Sequence, residues 1–527
     1  MTPDILRFIN RRTTAQSLPA HPDQAPNAAG GWTFQLDDAA RLRRFLILGT
    51  EGGTYYTRPL ELTIDNAAVV ERMCTEDPAT LLATIREVSL AGLAPKQQPT
   101  LFALAAAASL ADDAHRAQAL RMLPDIARTG THLFLFAGYV EQFRGWGRGL
   151  RRAVADWYLR PDVAHVALQT VKYAQREGWS HRDLLRLSHP NTDDPVRRAL
   201  FEWVVRRAEV PHGRGLEVVS GFEQAQRASA AEVTRLVAAY PLTWEMLPDR
   251  ALAEPAVWRA LLAKGMPMTA LLRQLNRLTR LCVLSPSAPE LDRVVARLTD
   301  PEAVRRARIH PLQVLMAQRT YAAGRGLRGS MTWDPIPRLV DALDEMFRLA
   351  FTSVVPTGKR LLLAVDVSAS MDWGTVAGSA MTPREGAAAM SLVTAATERT
   401  YEMVGFSHEL VPLRISPRQR LDDVVATMRR VPMGGTDCAK PIEYALARGR
   451  DVDAFVVYTD NETWAGHQHP HQALAHYRKR TGIPAKLIVV GLTATGSSIA
   501  DPNDGGMLDV VGFDASAPAV IADFIRA

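Results

Sequence analysis

At 527 residues the chain is too long for one ordinary hydrophobic core and divides into roughly two to four domains. Its 47% hydrophobic and 22% charged residues are those of a globular protein, and no apolar run approaches the roughly 18 residues that span a bilayer, which argues against membrane insertion. Charge is uneven: 45 Lys and Arg stand against 37 Asp and Glu through residue 352, and 17 against 19 after it, so the basic excess that directs attention to a polyanionic partner is confined to the front.

Residues 1–31 contain an Arg pair but neither an apolar h-region nor a small-residue cleavage site, so they read as a flexible arm rather than a signal peptide. Three isolated cysteines, Cys74, Cys282 and Cys438, offer no disulfide framework and no paired-cysteine metal site, and a reducing cytoplasm fits them.

From residue 32 to 352 the pattern is helix after helix. Leu81, Leu82, Ile85 and Val88 recur at helical spacing, as do Leu271, Leu272, Leu275 and Leu278. Breaks at Gly92, Pro95, Pro99, Gly130, Gly178, Pro211, Gly265 and Pro267 cut the region into segments suited to paired helices, the way an α-solenoid of HEAT-like repeats is built, although no strict sequence period is present.

Within this region, Lys172 and Arg176 are predicted one turn apart on one helix face, where like charges disfavour the helix by roughly 0.2–0.5 kcal/mol and an anionic ligand would offset the cost. Arg182, Arg186 and His189 follow. Upstream, Arg144, Arg148, Arg151 and Arg152 are interleaved with Trp146 and Trp157. Cations for phosphates and aromatics for bases suit single-stranded RNA; a solvated face and core aromatics are the competing explanation.

Near residue 353 the texture changes, with the boundary read at residues 351–358. RLLLAVDVSAS, YEMVGFS, DAFVVYTD and AKLIVVGL read as short apolar strands, and TPREGAAAMSLVTAATERT as a helix between the first two. Such alternation over 353–527 predicts an α/β, doubly wound, Rossmann-like sheet whose ligands sit at the strands' carboxyl ends. Three pieces fall there: Asp366, Ser368 and Ser370 in DVSAS, Thr436 in GGTD, and Asp460 after DAFVVYTD. All supply oxygen. Hard ligands with few fixed charges suit Mg²⁺, and an incomplete cage leaves a position for a partner's carboxylate or phosphate.

The DxSxS, Thr, Asp set resembles the metal-ion-dependent adhesion site of von Willebrand factor A domains over roughly residues 355–527. Five ordered blocks upstream, GTEGGTYY at 49–56, FRGWGRGLRRAVADWY, VKYAQREGWSHRDLLRLSHP at 171–190, MPMTALLRQLNRLTR at 266–280 and IHPLQVLMAQRTYAAGRGLRG at 309–329, resemble the TROVE module of the Ro autoantigen family, and its bacterial relatives in particular. In that family a ring of HEAT-like helical repeats precedes a von Willebrand factor A domain. The resemblance implies an RNA-binding scaffold in RNA quality control, processing and decay. It would bind small noncoding Y RNA on the ring's outer surface and thread single-stranded 3′ ends of misfolded or aberrant RNAs through the hole, with an exoribonuclease as a possible associate. The family's motif carries over to Lys172, Arg176 and His189 alone; the other arginines rest on charge, and residues 191–215 depart from the family pattern.

No small-molecule substrate is indicated. GRGLRG at 324–329 follows a helix, not a strand, and HRDL at 181–184 lacks the rest of a kinase catalytic loop. A nuclease reading of Asp366 and Asp460 would need a second metal and a base, so the chain is read as no enzyme. The alternative is a metal-dependent protein-interaction module that does not need RNA.

Overall fold

The computed structural model describes residues 14–526 apart from 50–58, 95, 177, 207–208, 308, 310, 327–329, 351–355, 375, 377–380, 417, 433 and 512–516. Most of the GTEGGTYY block, Pro95, the end of GRGLRG and residues 351–355 of the anticipated boundary therefore lie outside the described residues.

Between helix Asp38–Leu48 and helix Pro337–Leu349 the chain is almost wholly helical, with helices packing mainly on others one to three places away in sequence. The predicted apolar stripes are the packed faces: Leu81, Leu82, Ile85 and Val88 in helix Pro78–Leu90, and Leu271, Leu272, Leu275 and Leu278 in helix Met268–Arg280, are buried. Each such side chain contributes roughly 1.5–3 kcal/mol relative to exposure. Helix starts are fixed by acceptors that take up otherwise orphaned N–H groups, among them Asp77 from Thr80 (3.1 Å), Asp162 from His165 (2.6 Å) and the Ser180–Asp183 capping box.

Strands β1 (Gln24–Pro26) and β2 (Trp32–Gln35) precede the helices, and a two-stranded hairpin of β3 (Gln175–Arg176) and β4 (Trp179–Ser180) interrupts them. The C-terminal domain carries β5 (Leu361–Asp366), β6 (Tyr401–Phe406), β7 (Leu410–Pro412), β8 (Ala454–Thr459), β9 (Lys486–Gly491), β10 (Ser497–Ser498) and β11 (Met507–Val511). Six of these form one sheet in the order β11-β9-β8-β5-β6-β7, parallel except for β7 at the edge. β5 and β8 are buried along their whole length, as parallel strands covered on both faces must be. Between β5 and β8 the winding reverses, the place where sheets of this kind bind their ligands.

The expected flexible arm is not free over residues 14–31. β2 pairs antiparallel with β10, and Gln16, Gln24 and Asn27 are buried against the C-terminal domain. These polar side chains find their hydrogen-bond partners more than four hundred residues downstream, which no local pattern reveals.

Both ends of the helical array dock on the C-terminal domain. Arg44 of helix Asp38–Leu48 is fully buried and pairs with Asp509 on β11 (2.5 Å), while Arg420 reaches Asp341 and Asp344 of helix Pro337–Leu349 (3.4 Å to Asp344). The C-terminal domain thereby closes the helical array into a circuit.

Candidate RNA-binding surface and metal centre

Helix Val163–Lys172 ends at Lys172, with Tyr173 as its C-cap, and the chain turns into the β3-β4 hairpin through Gly178 at φ 77°. Lys172 and Arg176 thus do not share a helix face as predicted: Arg176 is exposed on the hairpin, because the run from Tyr173 to Gly178 carries no apolar helical stripe and ends in a left-handed residue. Lys172 pairs with Glu245 at 3.2 Å and lies beside the Tyr173 ring.

Helix His181–Ser188 follows at once, with Arg182 and Arg186 exposed and His189 capping it in the left-handed region at φ 45°. It packs on helix Arg148–Leu159, which exposes Arg148, Arg151 and Arg152, and Arg144 caps the preceding helix Gly130–Phe143. Trp146 packs on Trp179 with ring centroids 5.5 Å apart, drawing the Arg144–Arg148 loop to the hairpin. None of Arg144, Arg148, Arg151, Arg152, Arg176, Arg182, Arg186 or His189 has an ion-pair partner among the described residues. Neighbouring elements therefore present seven arginines without an ion pair, with His189 among them and the paired Lys172 at the border.

Trp157 cannot serve as a base platform. It is 3% exposed, its indole N–H donates to the carbonyl of Ala127, and it stacks on His181. His181 accepts or donates a hydrogen bond at Nδ1 to the Tyr158 hydroxyl (2.7 Å), and burial holds its pKa down at about 3. A Cβ at Gly130 would come within 2.7 Å of that imidazole. The Gly130 break is thus a packing requirement.

Of the five predicted metal ligands, Asp366, Ser368, Ser370 and Asp460 lie together at the carboxyl edge of the sheet, with Asp460 hydrogen-bonded to Ser370, while Thr436 is placed on a neighbouring loop through its carbonyl; all five are 2% exposed or less. The Asp366 carboxylate accepts from the Ser368 amide (2.9 Å) and the Thr459 hydroxyl (2.8 Å), which fixes its orientation, and the Ser368 and Ser370 hydroxyls lie 3.0 Å apart. Burial pushes the carboxyl groups of Asp366 and Asp460 upward, and the charge of Asp366 pushes Asp460 further. Two buried carboxylates that repel one another beside two hydroxyls make a donor set that a hard divalent cation satisfies.

Sequence reading missed the residues that hold this set. Arg384, in the first turn of helix Pro383–Thr397, is fully buried; its Nε donates to Asp372 (2.8 Å) and one Nη to the carbonyls of Val367 (3.0 Å) and Ser368 (3.1 Å), bracing the DVSAS loop. A cation at a helix N-terminus opposes the macrodipole, and that mismatch was the available signal. Glu462, two residues beyond Asp460, accepts from the Ala29 amide (2.9 Å), and burial with the nearby Asp460 charge pushes its carboxyl up to about 8.

Comparison with known proteins matches residues 25–213 and 223–359 to the TROVE domain and 360–525 to the Ro60 vWA domain. The chain is 44% identical over 531 residues to a Deinococcus radiodurans protein named RNA-binding protein RO60, covering 99% of each, and 34% identical to the Caenorhabditis elegans protein of that name, covering 98% of this chain and 92% of the other. The crystal structure of the Deinococcus radiodurans RO (RSR) protein superposes with a TM-score of 0.73 at 45% identity, over 93% of this chain and 99% of that one. A helical array closed by a doubly wound domain, matched along its length by these relatives, makes the chain a member of the Ro family of bacterial type, with a TROVE domain followed by a Ro60 vWA domain.

Proposed function

We propose that the chain is an RNA-binding scaffold that takes small noncoding Y RNA and the single-stranded 3′ ends of misfolded RNAs, in RNA quality control, processing and decay. The observation that carries the reading is the set of arginines without an ion pair among the described residues, Arg144, Arg148, Arg151, Arg152, Arg176, Arg182 and Arg186, on elements that touch one another, together with His189 and Lys172. Relatives named as RNA-binding proteins along almost the full chain support it. The chemistry assigned to it is binding without catalysis: phosphates replace solvent on the arginines and release counterions from the RNA.

Asp366, Ser368, Ser370, Thr436 and Asp460 of the vWA domain would hold Mg²⁺, which would offer an acidic group of a protein partner, such as an exoribonuclease, a hard cation to bind. The proposed place of work is the cytoplasm, on the strength of three isolated cysteines in the sequence; among the described residues no helix is long and apolar enough to cross a membrane.

The test is binding of a structured RNA with a single-stranded 3′ tail, measured against the same RNA without the tail at rising salt. Tail-dependent affinity that falls steeply between 50 and 200 mM salt, by about 300-fold if six phosphates of the single strand are contacted, is the expected result. Salt-insensitive affinity removes the electrostatic mechanism. Metal-dependent capture of a protein partner that survives nuclease treatment would favour the protein-interaction reading instead.

A further inference from the structure

Thr436 and Asp460 sit on separate loops, and a metal centre needs their spacing fixed. Part of that spacing is set locally, since the Thr436 carbonyl accepts from the amides of Trp464 (3.0 Å) and Ala465 (2.9 Å). The rest comes from the other end of the chain.

Gln16, with no exposed surface, donates from Nε2 to Asp437 Oδ1 (2.8 Å), next to Thr436, and to the carbonyl of Gln468 (2.8 Å). Its Oε1 accepts from the Thr463 hydroxyl, three residues past Asp460. Asn27 donates to the Thr463 carbonyl (2.8 Å) and accepts from the Gly31 amide (2.8 Å), and the Thr14 hydroxyl donates to the Trp464 carbonyl. The fit is close. A Cβ on Gly31 would stand 1.9 Å from the Thr463 carbonyl oxygen, and one on Gly466 would stand 2.1 Å from Gln16 Nε2.

We propose that Gln16 and Asn27 are positioning residues for the metal centre: the segment before the helical array clamps the Thr436 and Asp460 loops together and sets metal affinity from outside the vWA domain. The inference rests on the metal reading above. Gln16 lies outside the residues matched to either domain family, and Asn27 falls at the start of the TROVE match, outside the vWA match that holds the metal set. Because linkage is reciprocal, a bound cation must in turn tighten the clamp.

The experiment measures Mn²⁺ binding by electron paramagnetic resonance in the full chain, in Gln16→Met, which keeps the side chain's length but loses its hydrogen bonds, and in Asn27→Ala. Hydrogen exchange of residues 14–31 in the unaltered protein, with and without Mg²⁺, accompanies it. Affinity about tenfold weaker in both variants, with exchange across 14–31 slowed by Mg²⁺ in the parent, is the expected result. Parent and variants that bind Mn²⁺ alike, or exchange that ignores Mg²⁺ in a parent that binds it, overturns the clamp and leaves the metal site standing. A parent that binds no Mn²⁺ overturns the metal reading and the clamp with it. Should Gln16→Met not fold, Asn27→Ala and the exchange measurement decide the matter.

Discussion

Arg319 of the helical domain forms an ion pair with Glu385 of the vWA domain at 2.5 Å, and Glu385 is the immediate neighbour of Arg384, which holds the DVSAS loop. One helix start therefore carries both the domain contact and the brace of the metal loop. Glu385 has a 7% exposed side chain, so Arg319→Ala leaves a buried carboxylate with Arg429 at 3.9 Å as its remaining cation. Loss of about 1–3 kcal/mol is predicted, read as a lower denaturant midpoint, with faster proteolysis at the domain junction.

Arg44 is the harsher case. It is fully buried against Asp509 and the carbonyls of Thr493, Thr495 and Ser497. Asp509→Ala strands a guanidinium in the interior and is expected to cost roughly 3–5 kcal/mol, whereas Asp509→Asn, which keeps an acceptor, costs less. Equal destabilisation by the two changes in chemical unfolding would show that the retained acceptor contributes nothing and that the lost charge carries the pair.

For RNA, the triple change Arg176→Ala, Arg182→Ala and Arg186→Ala is predicted to weaken binding of a 3′-tailed RNA and to lower the slope of log affinity against log salt by about 0.7 for each phosphate that is no longer neutralised. Lys172→Ala should cost less, since Glu245 already neutralises that ammonium. Filter binding at four salt concentrations separates these outcomes; a triple variant with the parental slope removes these arginines from the site.

The array's helical stripes, the change of texture near residue 353 and the DVSAS, Thr436 and Asp460 set were legible because periodicity and strand-end position are local properties. What stayed hidden depended on remote partners. The Lys172–Arg176 spacing satisfied a helix on paper, yet Gly178 and the pairing of Arg176 with Trp179 make a hairpin there. Gln16 and Asn27 looked like loop residues because their partners, Thr463 and Asp437, come from the far end of the sequence. Arg384 left a trace in the wrong charge at a helix start, and Trp157, for which core is the favoured reading of any single Trp, is core, its indole N–H bound to the Ala127 carbonyl.

Metal dependence has its own signature. Mg²⁺ at millimolar concentration is expected to raise the melting temperature of the parent by the linkage of binding to folding, about 2.7 kcal/mol at a hundredfold excess over the dissociation constant. Asp366→Ala removes the oriented carboxylate, so its melting temperature should ignore Mg²⁺. A variant still stabilised by the ion would place the metal elsewhere.

Acid is predicted to unfold the helical domain through His181. Its folded pKa of about 3 lies below the ordinary 6.5, so between those values the unfolded chain takes up a proton that the folded chain refuses. Its contribution is complete above about pH 6.5 and drains away as pH falls toward 3, reaching about 2 kcal/mol of loss at pH 5. His132, held down at about 4 by burial, acts in the same direction. His181→Gln should flatten the acid limb of a stability–pH curve; an unchanged limb would assign it to other groups.

The pairing of β2 with β10 has a consequence for synthesis. Gln16 leaves the ribosome long before Gln468, the residue 452 positions later whose carbonyl it must bind. Throughout translation of the helical array its opening segment stays unpaired, and Arg44 waits for Asp509 in the same way. Final folding is therefore coupled to chain release: a truncated product lacking β10 and β11 leaves an open array with an unmatched arginine, a state that chaperones and proteases distinguish from the finished protein.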